Sequence, residues 1–207
     1  MLAAADPPPD PPHLILARSL VATIADADNT YVGGPARITW PEPGRRASNA
    51  SVCSSFLVAT LQRAYALPDG LIRERFGERW PEADECCAAI RGGRGFRQRQ
   101  RLDQVRPGDV IAIDYQSAKR IPTGHVLFVD ALPERRADGT FTVNIIDSTG
   151  SPHGPEDQRG SDGGAGRGAI RLRCDTTGQI NAYAWSPSSN HWHSVTERPV
   201  LLAVVTP

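Results

Sequence analysis

The hydrophobic pattern of the chain changes once along its length, and this change limits the folds that the chain can adopt. Before the Gly- and Arg-rich stretch RGGRGFRQRQR (91–101), apolar residues recur at helical spacing; after it they fall into short runs bounded by turn formers. Six of these runs have the length of strands: DVIAIDY (109–115), HVLFVDAL (125–132), FTVNIID (141–147), AIRLRC (169–174), INAYAWS (180–186) and VLLAVV (200–205). Helices followed by a mostly antiparallel sheet are typical of the α+β class, in which the helices cover one side of the sheet.

The first part of the chain is predicted to contain four helices. Residues 6–12 (DPPPDPP) are too rich in proline for a helix or a sheet, so 1–12 is interpreted as a leader and 13–207 as one domain. The helices are expected over His13–Asp26, from a cap at Ser48, Asn49 or Ser51 to the stop signal Leu67-Pro68-Asp69-Gly70, over Leu71–Arg79, and over Glu82–Arg91. Turn formers predict a loop over Asn29–Ala50, and Gly, Asp and Ser predict a mobile loop over His153–Gly168.

Composition and charge exclude several classes of protein. The 23 basic residues equal the 23 acidic ones, so the net charge indicates no polyanionic partner such as nucleic acid. No stretch holds the roughly 18 consecutive apolar residues of a membrane span. The N-terminal MLAAADPPPDPP contains no intact signal peptide, although its AxA-like stretch leaves export open. The four cysteines lack CxxC spacing, so neither a metal nor a cofactor is expected; Cys86 or Cys87 could pair with Cys174 in an oxidising compartment.

Cys53 is the candidate nucleophile, because it falls in the first turn of the second predicted helix. The positive end of the helix dipole and the free backbone N–H groups at this position favour a thiolate. Positions 53, 57, 61 and 64 also form the predicted buried stripe of the helix. An inert core cysteine is therefore the alternative interpretation.

His125 is the candidate base, and Asp147 is its candidate partner. A hairpin centred on Arg136 would pair residues whose numbers sum to 272, which sets His125 opposite Asp147. This register makes one face uniformly apolar, whereas a two-residue slip would keep the faces but change the partner. Asp147 would hold one imidazole nitrogen and leave the other for the thiol, as in sites that combine a nucleophile, a base and an orienting group. The alternative is a surface His–Asp pair of little energetic weight.

Several segments resemble the NlpC-like cell-wall cysteine peptidases of the papain-like superfamily, whose relatives include the CHAP amidases. These segments are TYVGG (30–34), SVCSSFLVATLQRAY (51–65), and RPGDVIAID with TGHVLFVDA (106–114 and 123–131). The resemblance implies a papain-like hydrolase domain, an amidase or peptidase that works through an acyl-thioester, and Cys53, His125 and Asp147 as its triad. It further implies that Tyr31 flanks the thiol, that Ser54 supports the site, and that a bacterial, secreted or periplasmic protein acts on peptide or peptidoglycan-type substrates.

The resemblance also has departures that bear on substrate selection. Ser51 and Val52 stand where the family usually has an Asp just before the cysteine, and Ser55 stands for the usual Gly. The acidic residue of the family often helps to bind the free amine of a cell-wall peptide. Its absence bears more on the choice of substrate than on the use of a cysteine nucleophile.

Further features carry other interpretations. His153 could substitute in the triad or touch substrate, although a loop histidine is more often solvated. His191 and His193 could form a metal corner, but no third ligand is recognisable, which favours a surface position. The Arg-rich run 91–106 would suit a non-catalytic binding module for an anionic polymer, but it lacks aromatic residues beyond Phe96, which favours a solvated loop. An acyltransferase on the same fold is also open, as is the oligomeric state.

Overall fold

The first half of the chain forms helices in the predicted order. The computed structural model describes residues 9–116, 122–155, 157 and 159–207. Within these residues the helices are α1 (Pro12–Thr23), α2 (Cys53–Tyr65), α3 (Asp69–Phe76) and α4 (Ala83–Arg91). α2 begins after Val52, whose backbone is extended and whose N–H donates to Ser55 Oγ at 3.1 Å. A side chain of the first turn thus satisfies the N–H group at the start of the helix. Every helix of the described ranges falls short of what a membrane crossing requires.

The strands of the described residues form a small sheet and a large one. The small sheet contains β1 (Asn29–Tyr31), β2 (Arg37–Thr39) and β3 (Ser48–Ser51), and β1 runs parallel to β3. The large sheet contains β4 (Phe96–Arg99), β5 (Val110–Asp114), β6 (Gly124–Val129), β7 (Glu134–Arg135), β8 (Phe141–Thr149), β9 (Gly164–Cys174), β10 (Ile180–Ala184), β11 (His193–Ser194) and β12 (Val200–Val205). Its order is β11-β10-β9-β8-β6-β5-β12-β4, with β7 beside β8, and its pairs are antiparallel. The predicted α+β class is confirmed.

The large sheet carries an apolar layer on each face. On one face Val126 and Phe128 of β6 pack with Phe56 of α2, and the ring centroids of Phe56 and Phe128 lie 6.2 Å apart. On the other face Leu127 belongs to a second cluster with Tyr183 of β10. Successive side chains of a strand point to opposite faces, so His125, two residues before Leu127, lies on the same face as this second cluster.

A chain of buried polar side chains joins the small sheet to the large one. Asn29 Oδ1 accepts from the Ala165 N–H at 2.9 Å, and Asn29 Nδ2 donates to the Ala165 carbonyl at 2.8 Å. Asn49 Nδ2 donates to Asn29 Oδ1 at 3.0 Å, and Ser51 Oγ donates to Asn49 Oδ1 at 2.7 Å. Ser148 Oγ donates to the Ser51 carbonyl at 2.8 Å. These bonds hold β3, and with it the start of α2, against β8 and β9.

Several boundaries differ from the sequence-based predictions. The predicted loop over Asn29–Ala50 contains the three strands of the small sheet, which polar side chains hold in place. The predicted cap residues Ser48, Asn49 and Ser51 therefore lie in β3, and the capping position belongs to Val52. The mobile loop predicted over His153–Gly168 ends at β9, which begins at Gly164; within this loop, residues 156 and 158 lie outside the described residues. Most of the predicted leader 1–12 also lies outside them.

The register between β6 and β8 is two residues away from the predicted one. Val129 pairs with Ile145, so paired numbers sum to 274 instead of 272. The cause is the connection, because β7 pairs back onto β8 and closes a tighter turn over residues 136–140. Continued along both strands, the observed register sets His125 opposite Thr149 and makes Asp147 a diagonal neighbour on the same face. Long side chains can meet across such a diagonal.

Candidate active site

Cys53 is the first residue of α2, where the backbone N–H groups have no partners within the helix. The residue is 5 % exposed. Against the opposing effect of burial, the charge of its thiolate raises the pKa of the His125 imidazole. However, the contacts of the described residues include no Cys53–His125 hydrogen bond of normal length and angle, so they do not by themselves establish a Cys–His–Asp triad.

His125 and Asp147 form a buried pair. Nε2 of His125 lies 2.5 Å from Asp147 Oδ2, and the carboxylate is fully buried. Because a carboxylate accepts hydrogen bonds, Nε2 donates and Nδ1 is left as the second ring position. Burial disfavours a charged imidazole, but the charge of the Cys53 thiolate and the hydrogen bond to Asp147 outweigh it and raise the pKa of His125 to about 10. The structure thus brings the predicted base and its predicted partner into contact.

Asp147 has two further buried partners, His153 and Arg159. The sequence favoured a solvated position for His153 over a role in the triad or at the substrate, which its burial contradicts, and nothing in the sequence pointed to Arg159. His153 Nε2 donates to the same Oδ2 atom at 2.7 Å, and Arg159 Nη2 lies 3.0 Å from Oδ1. The Arg159 contact is an ion pair without the alignment of a hydrogen bond. Asp157 closes the network, since its carboxylate accepts from the His153 N–H at 2.9 Å and from Arg159 Nε at 2.8 Å.

The charge state of Asp147 follows from this network. Burial opposes its negative charge, but the charge of His153 and the hydrogen bonds from both imidazoles hold the pKa of Asp147 well below its usual range. Asp147 is therefore a carboxylate at neutral pH, and it can orient His125 and stabilise the imidazolium form.

The residues His125, Asp147 and His153 also offer the ligand types of a metal site. Their nearest ligand atoms lie within 4.8 Å of one another. However, both imidazoles lie at hydrogen-bond distance from one carboxylate oxygen, 2.5 and 2.7 Å, and Arg159 faces the other oxygen. A metal would need to stand about 2 Å from each ligand, between atoms that are already in contact. The arrangement fits shared protons better than a cation.

A cleft of about 270 Å³ opens beside His125. The described residues that line it are Tyr115, His125, Thr149, Ser151, Pro152, His153 and Trp185. The Trp185 ring stands edge-on to His125 with centroids 5.2 Å apart, and its carbonyl accepts from His153 Nδ1 at 3.2 Å. A larger cavity of about 430 Å³ lies between the end of α1 and β9, but His125 is not among its lining residues. The smaller cleft is therefore the candidate substrate site.

Tyr31 and Ser54 lie on the two segments that meet at the thiol. Tyr31 in β1 pairs with Ser51, two residues before Cys53. Burial, the Cys53 thiolate and the Asp147 carboxylate raise the pKa of Tyr31 to about 12, so its phenol keeps its proton at neutral pH. Ser54 is 1 % exposed, which limits it to a supporting position inside the first turn of α2.

Other cysteines and histidines of the chain lie in positions that indicate packing and not catalysis. All four cysteines are free thiols, so the suggested pairing of Cys174 with Cys86 or Cys87 is not formed. Burial raises the pKa of the Cys87 thiol to about 12, which makes it unreactive. His193 stacks on Tyr183 with centroids 4.9 Å apart, an aromatic packing position.

Three of the six arginines in the run 91–106 pair with nearby acidic groups. Arg91 pairs with Asp114 at 2.7 Å, and Arg99 pairs with Asp109 at 2.5 Å. Arg101 forms a further ion pair with its neighbour Asp103. Paired guanidinium groups offer less charge to a polyanion, so these contacts do not favour the binding-module alternative.

Comparison with known proteins adds two similarities. No family model matches the chain. The uncharacterized protein R653 of Acanthamoeba polyphaga mimivirus is 29 % identical in an alignment 204 positions long that covers 86 % of this chain and 89 % of the viral protein. The crystal structure of the wild-type endolysin LysIME-EF1 is similar with a TM-score of 0.38 and 16 % identity, over 92 % of this chain and 61 % of the endolysin. The chain thus spans less than two thirds of the endolysin, and so low a TM-score assigns neither fold nor activity.

Proposed function

We propose that the protein is a thiol hydrolase, an amidase or peptidase in which Cys53 is the nucleophile, His125 the acid and base, and Asp147 the orienting group. The observation that carries the proposal is the buried His125–Asp147 pair, 2.5 Å apart, beside a cysteine at the start of a helix. The contacts of the described residues include no aligned hydrogen bond between the Cys53 thiol and the His125 imidazole, but catalytic hydrogen bonds are often long or poorly aligned until substrate binds. The helix start favours the thiolate, and the raised pKa of His125 favours the imidazolium.

The proposed reaction is acyl transfer. The Cys53 thiolate attacks an amide carbonyl, and the imidazolium of His125 protonates the departing amine as the C–N bond breaks. A water molecule then gives a proton to His125 as its oxygen attacks the thioester carbonyl, and breaking of the C–S bond releases the acid and restores the Cys53 thiolate. The backbone N–H of Cys53 can donate to the developing oxyanion, a contact worth roughly 3 kcal/mol in other enzymes. The phenol of Tyr31, which keeps its proton at neutral pH, is the second donor that we propose.

The proposed substrates are peptides of the bacterial cell wall, and the proposed fold type is papain-like. Both rest on the segments TYVGG, SVCSSFLVATLQRAY and TGHVLFVDA, which resemble the NlpC-like peptidases. Aromatic rings and hydroxyl groups line the cleft beside His125, and such surfaces suit a peptide backbone. A protein with this substrate would act outside the cytoplasm, so we place it in the periplasm or in the secreted fraction.

The first experiment measures thiol reactivity without any substrate. The rate of alkylation by iodoacetamide is followed against pH for each cysteine by mass spectrometry, in the wild type and in His125→Ala. The proposal expects fast labelling of Cys53 at neutral pH, and slower labelling in the variant. Cys86 and Cys87 are internal controls, because buried thiols with raised pKa label only if the protein opens. The proposal would be refuted if labelling of Cys53 rises only near about pH 8.5, the reference pKa of a free thiol, and is the same in His125→Ala.

The second experiment identifies the bond. The protein is incubated with soluble cell-wall stem peptides and cross-linked dimers, and the products are weighed by mass spectrometry with and without an added amine acceptor. Addition of water across an amide, lost in Cys53→Ala and kept in Cys174→Ala, supports hydrolysis. Cys174 is a matched control because it is a free thiol in β9, outside the site. Incorporation of the acceptor in preference to water would identify an acyltransferase, and no turnover of these peptides would refute the proposed substrate class.

A further inference from the structure

We infer that Arg159 is a positioning residue of this site: together with Asp157 it forms a buried clamp that holds Asp147 as a charged carboxylate with Oδ2 turned toward His125. The inference rests on the proposed function, because it assigns a role within the same site. We call Arg159 and Asp157 the Arg159 clamp.

The contacts of Arg159 join three segments of the chain. Its side chain is 1 % exposed, and it reaches Asp147 Oδ1 at 3.0 Å, Asp157 Oδ1 at 2.8 Å and the Gly164 carbonyl at 3.0 Å. A buried guanidinium is costly unless it is paired and hydrogen-bonded, so a residue in this position requires partners that repay its desolvation. The partner that it meets in β8 is the carboxylate that orients His125. Because Arg159 occupies Oδ1, the carboxylate presents Oδ2 to the imidazoles.

Arg159 supplies the guanidinium that two buried carboxylates share. Asp147 lies 3.0 Å and Asp157 lies 2.8 Å from its nitrogens. The imidazoles of His125 and His153 lie at 2.5 and 2.7 Å from Asp147 Oδ2, the other oxygen of the carboxylate. Burial raises the pKa of the Tyr31 phenol, so Tyr31 in β1 is neutral. Without Arg159 the two buried carboxylates would lose the one guanidinium that faces both of them.

Two glycines of the large sheet leave the space that the Arg159 clamp occupies. A Cβ at Gly166 would stand 2.9 Å from Arg159 Nε, and a Cβ at Gly168 would stand 2.7 Å from Asp157 Oδ2. Both glycines lie in β9, directly beside β8. A side chain at either position would displace the clamp, so the strand that flanks Asp147 is shaped to admit it.

The test follows the pH dependence of Cys53 alkylation in Arg159→Met, Arg159→Lys and the double variant Asp157→Asn/Arg159→Met. In Arg159→Met the unbalanced carboxylates take up a proton at higher pH, and the acid limb of the profile is expected to move up by about one pH unit or more. Lys keeps the charge, so the acid limb of Arg159→Lys should stay close to that of the wild type. The double variant removes one charge of each sign and should return to within about half a unit of the wild type. Arg167→Met is the matched control, because Arg167 pairs with Asp130 at 3.1 Å and is half exposed.

The outcomes separate this inference from the proposed function. A wild-type profile that behaves as an ordinary free thiol refutes the proposed function. A wild type with a reactive Cys53, together with a folded Arg159→Met whose acid limb has not moved, refutes the clamp alone. Folding is checked by thermal unfolding, since loss of a buried cation can prevent folding. If Arg159→Met does not fold, the double variant provides the test. A shift of its acid limb by about one pH unit or more from the wild type would then refute the clamp.

Discussion

Asp147→Asn is the substitution that most directly tests the buried pair. Asn keeps the size of the side chain but removes the negative charge from a fully buried position 2.5 Å from His125 Nε2. Loss of an opposite charge at this range shifts a pKa by roughly 1 to 3 units. We expect the pKa of His125, raised to about 10 in the wild type, to fall by that amount. The loss corresponds to about 1.4 to 4 kcal/mol of stabilisation of the imidazolium.

The assay is a long-range ¹H–¹⁵N NMR titration of the histidine rings from about pH 5 to about pH 11. Asp130→Asn is the matched control, since Asp130 follows β6 but pairs with Arg18 at 2.5 Å and does not touch His125. A His125 titration in Asp147→Asn that stays within about half a unit of the wild type would show that the carboxylate does not act on the imidazole.

The same titration fixes the sign of a stability effect. The folded-state pKa of His125 lies above its unfolded value, so the stabilisation from its charged form is complete below about pH 6.5 and is lost as the pH rises through about 10. Asp147→Asn should therefore reduce stability less at the alkaline end of this window than at neutral pH. An equal loss of Tm at both ends would contradict the linkage.

Three further substitutions test the surroundings of the site. Gly168→Ala places a Cβ 2.8 Å from His153 Cβ and should displace the loop, lowering the rate of Cys53 alkylation at neutral pH by roughly 10- to 100-fold; an unchanged rate would contradict this. Ser55→Ala leaves the Val52 N–H without its acceptor, which should cost about 1 kcal/mol in urea unfolding with an unchanged slope. Burial lowers the pKa of His13 in the folded protein, so the stabilisation by its neutral form is complete above about pH 6.5 and is lost as the pH falls through the folded-state pKa. The Tm of His13→Gln should therefore fall less between about pH 7 and about pH 5 than the Tm of the wild type. Equal falls in Tm would contradict a lowered pKa of His13.

The parts of the fold that follow from hydrophobic spacing were predictable. The run VLLAVV forms β12 at its predicted bounds, and the run around Leu127 forms β6, because continuous apolar runs fit strands that are buried on both faces. α2 was predictable from the helical spacing of its apolar residues, whose stripe includes Cys53 and Leu57. The position of the thiol at a helix start therefore followed from the sequence alone.

The small sheet was not predictable from such spacing. β3 has the sequence SNAS, and its buried side chains are those of Asn49 and Ser51. The strand is held by hydrogen bonds to Asn29 and Ser148, which lie far away along the chain. Polar strands of this kind contribute no alternation of apolar residues, so turn formers dominate their local pattern.

The register of β6 and β8 shows a different limit. The alternation of apolar residues fixed which faces meet, and a shift by two residues preserves those faces. What decides between the two registers is the pairing of β7, whose residues Glu134 and Arg135 carry no apolar signal. His125 and Asp147 meet in spite of the shift, because residues of equal parity on neighbouring strands remain within reach across a diagonal.

The segment from residue 153 to residue 168 holds half of the site, and its composition favoured a mobile loop. However, Gly164, Gly166 and Gly168 alternate along β9, so they share one face of the strand. Three glycines at a spacing of two indicate a face from which side chains have been removed, which leaves space for groups from elsewhere. Here that space admits the buried side chains of Arg159 and Asp157, and a charged pair can occupy it because Asp147 lies on the neighbouring strand. The alternation of glycines is thus a sequence signal for a buried polar network, whereas the residues that fill the network are decided by tertiary packing.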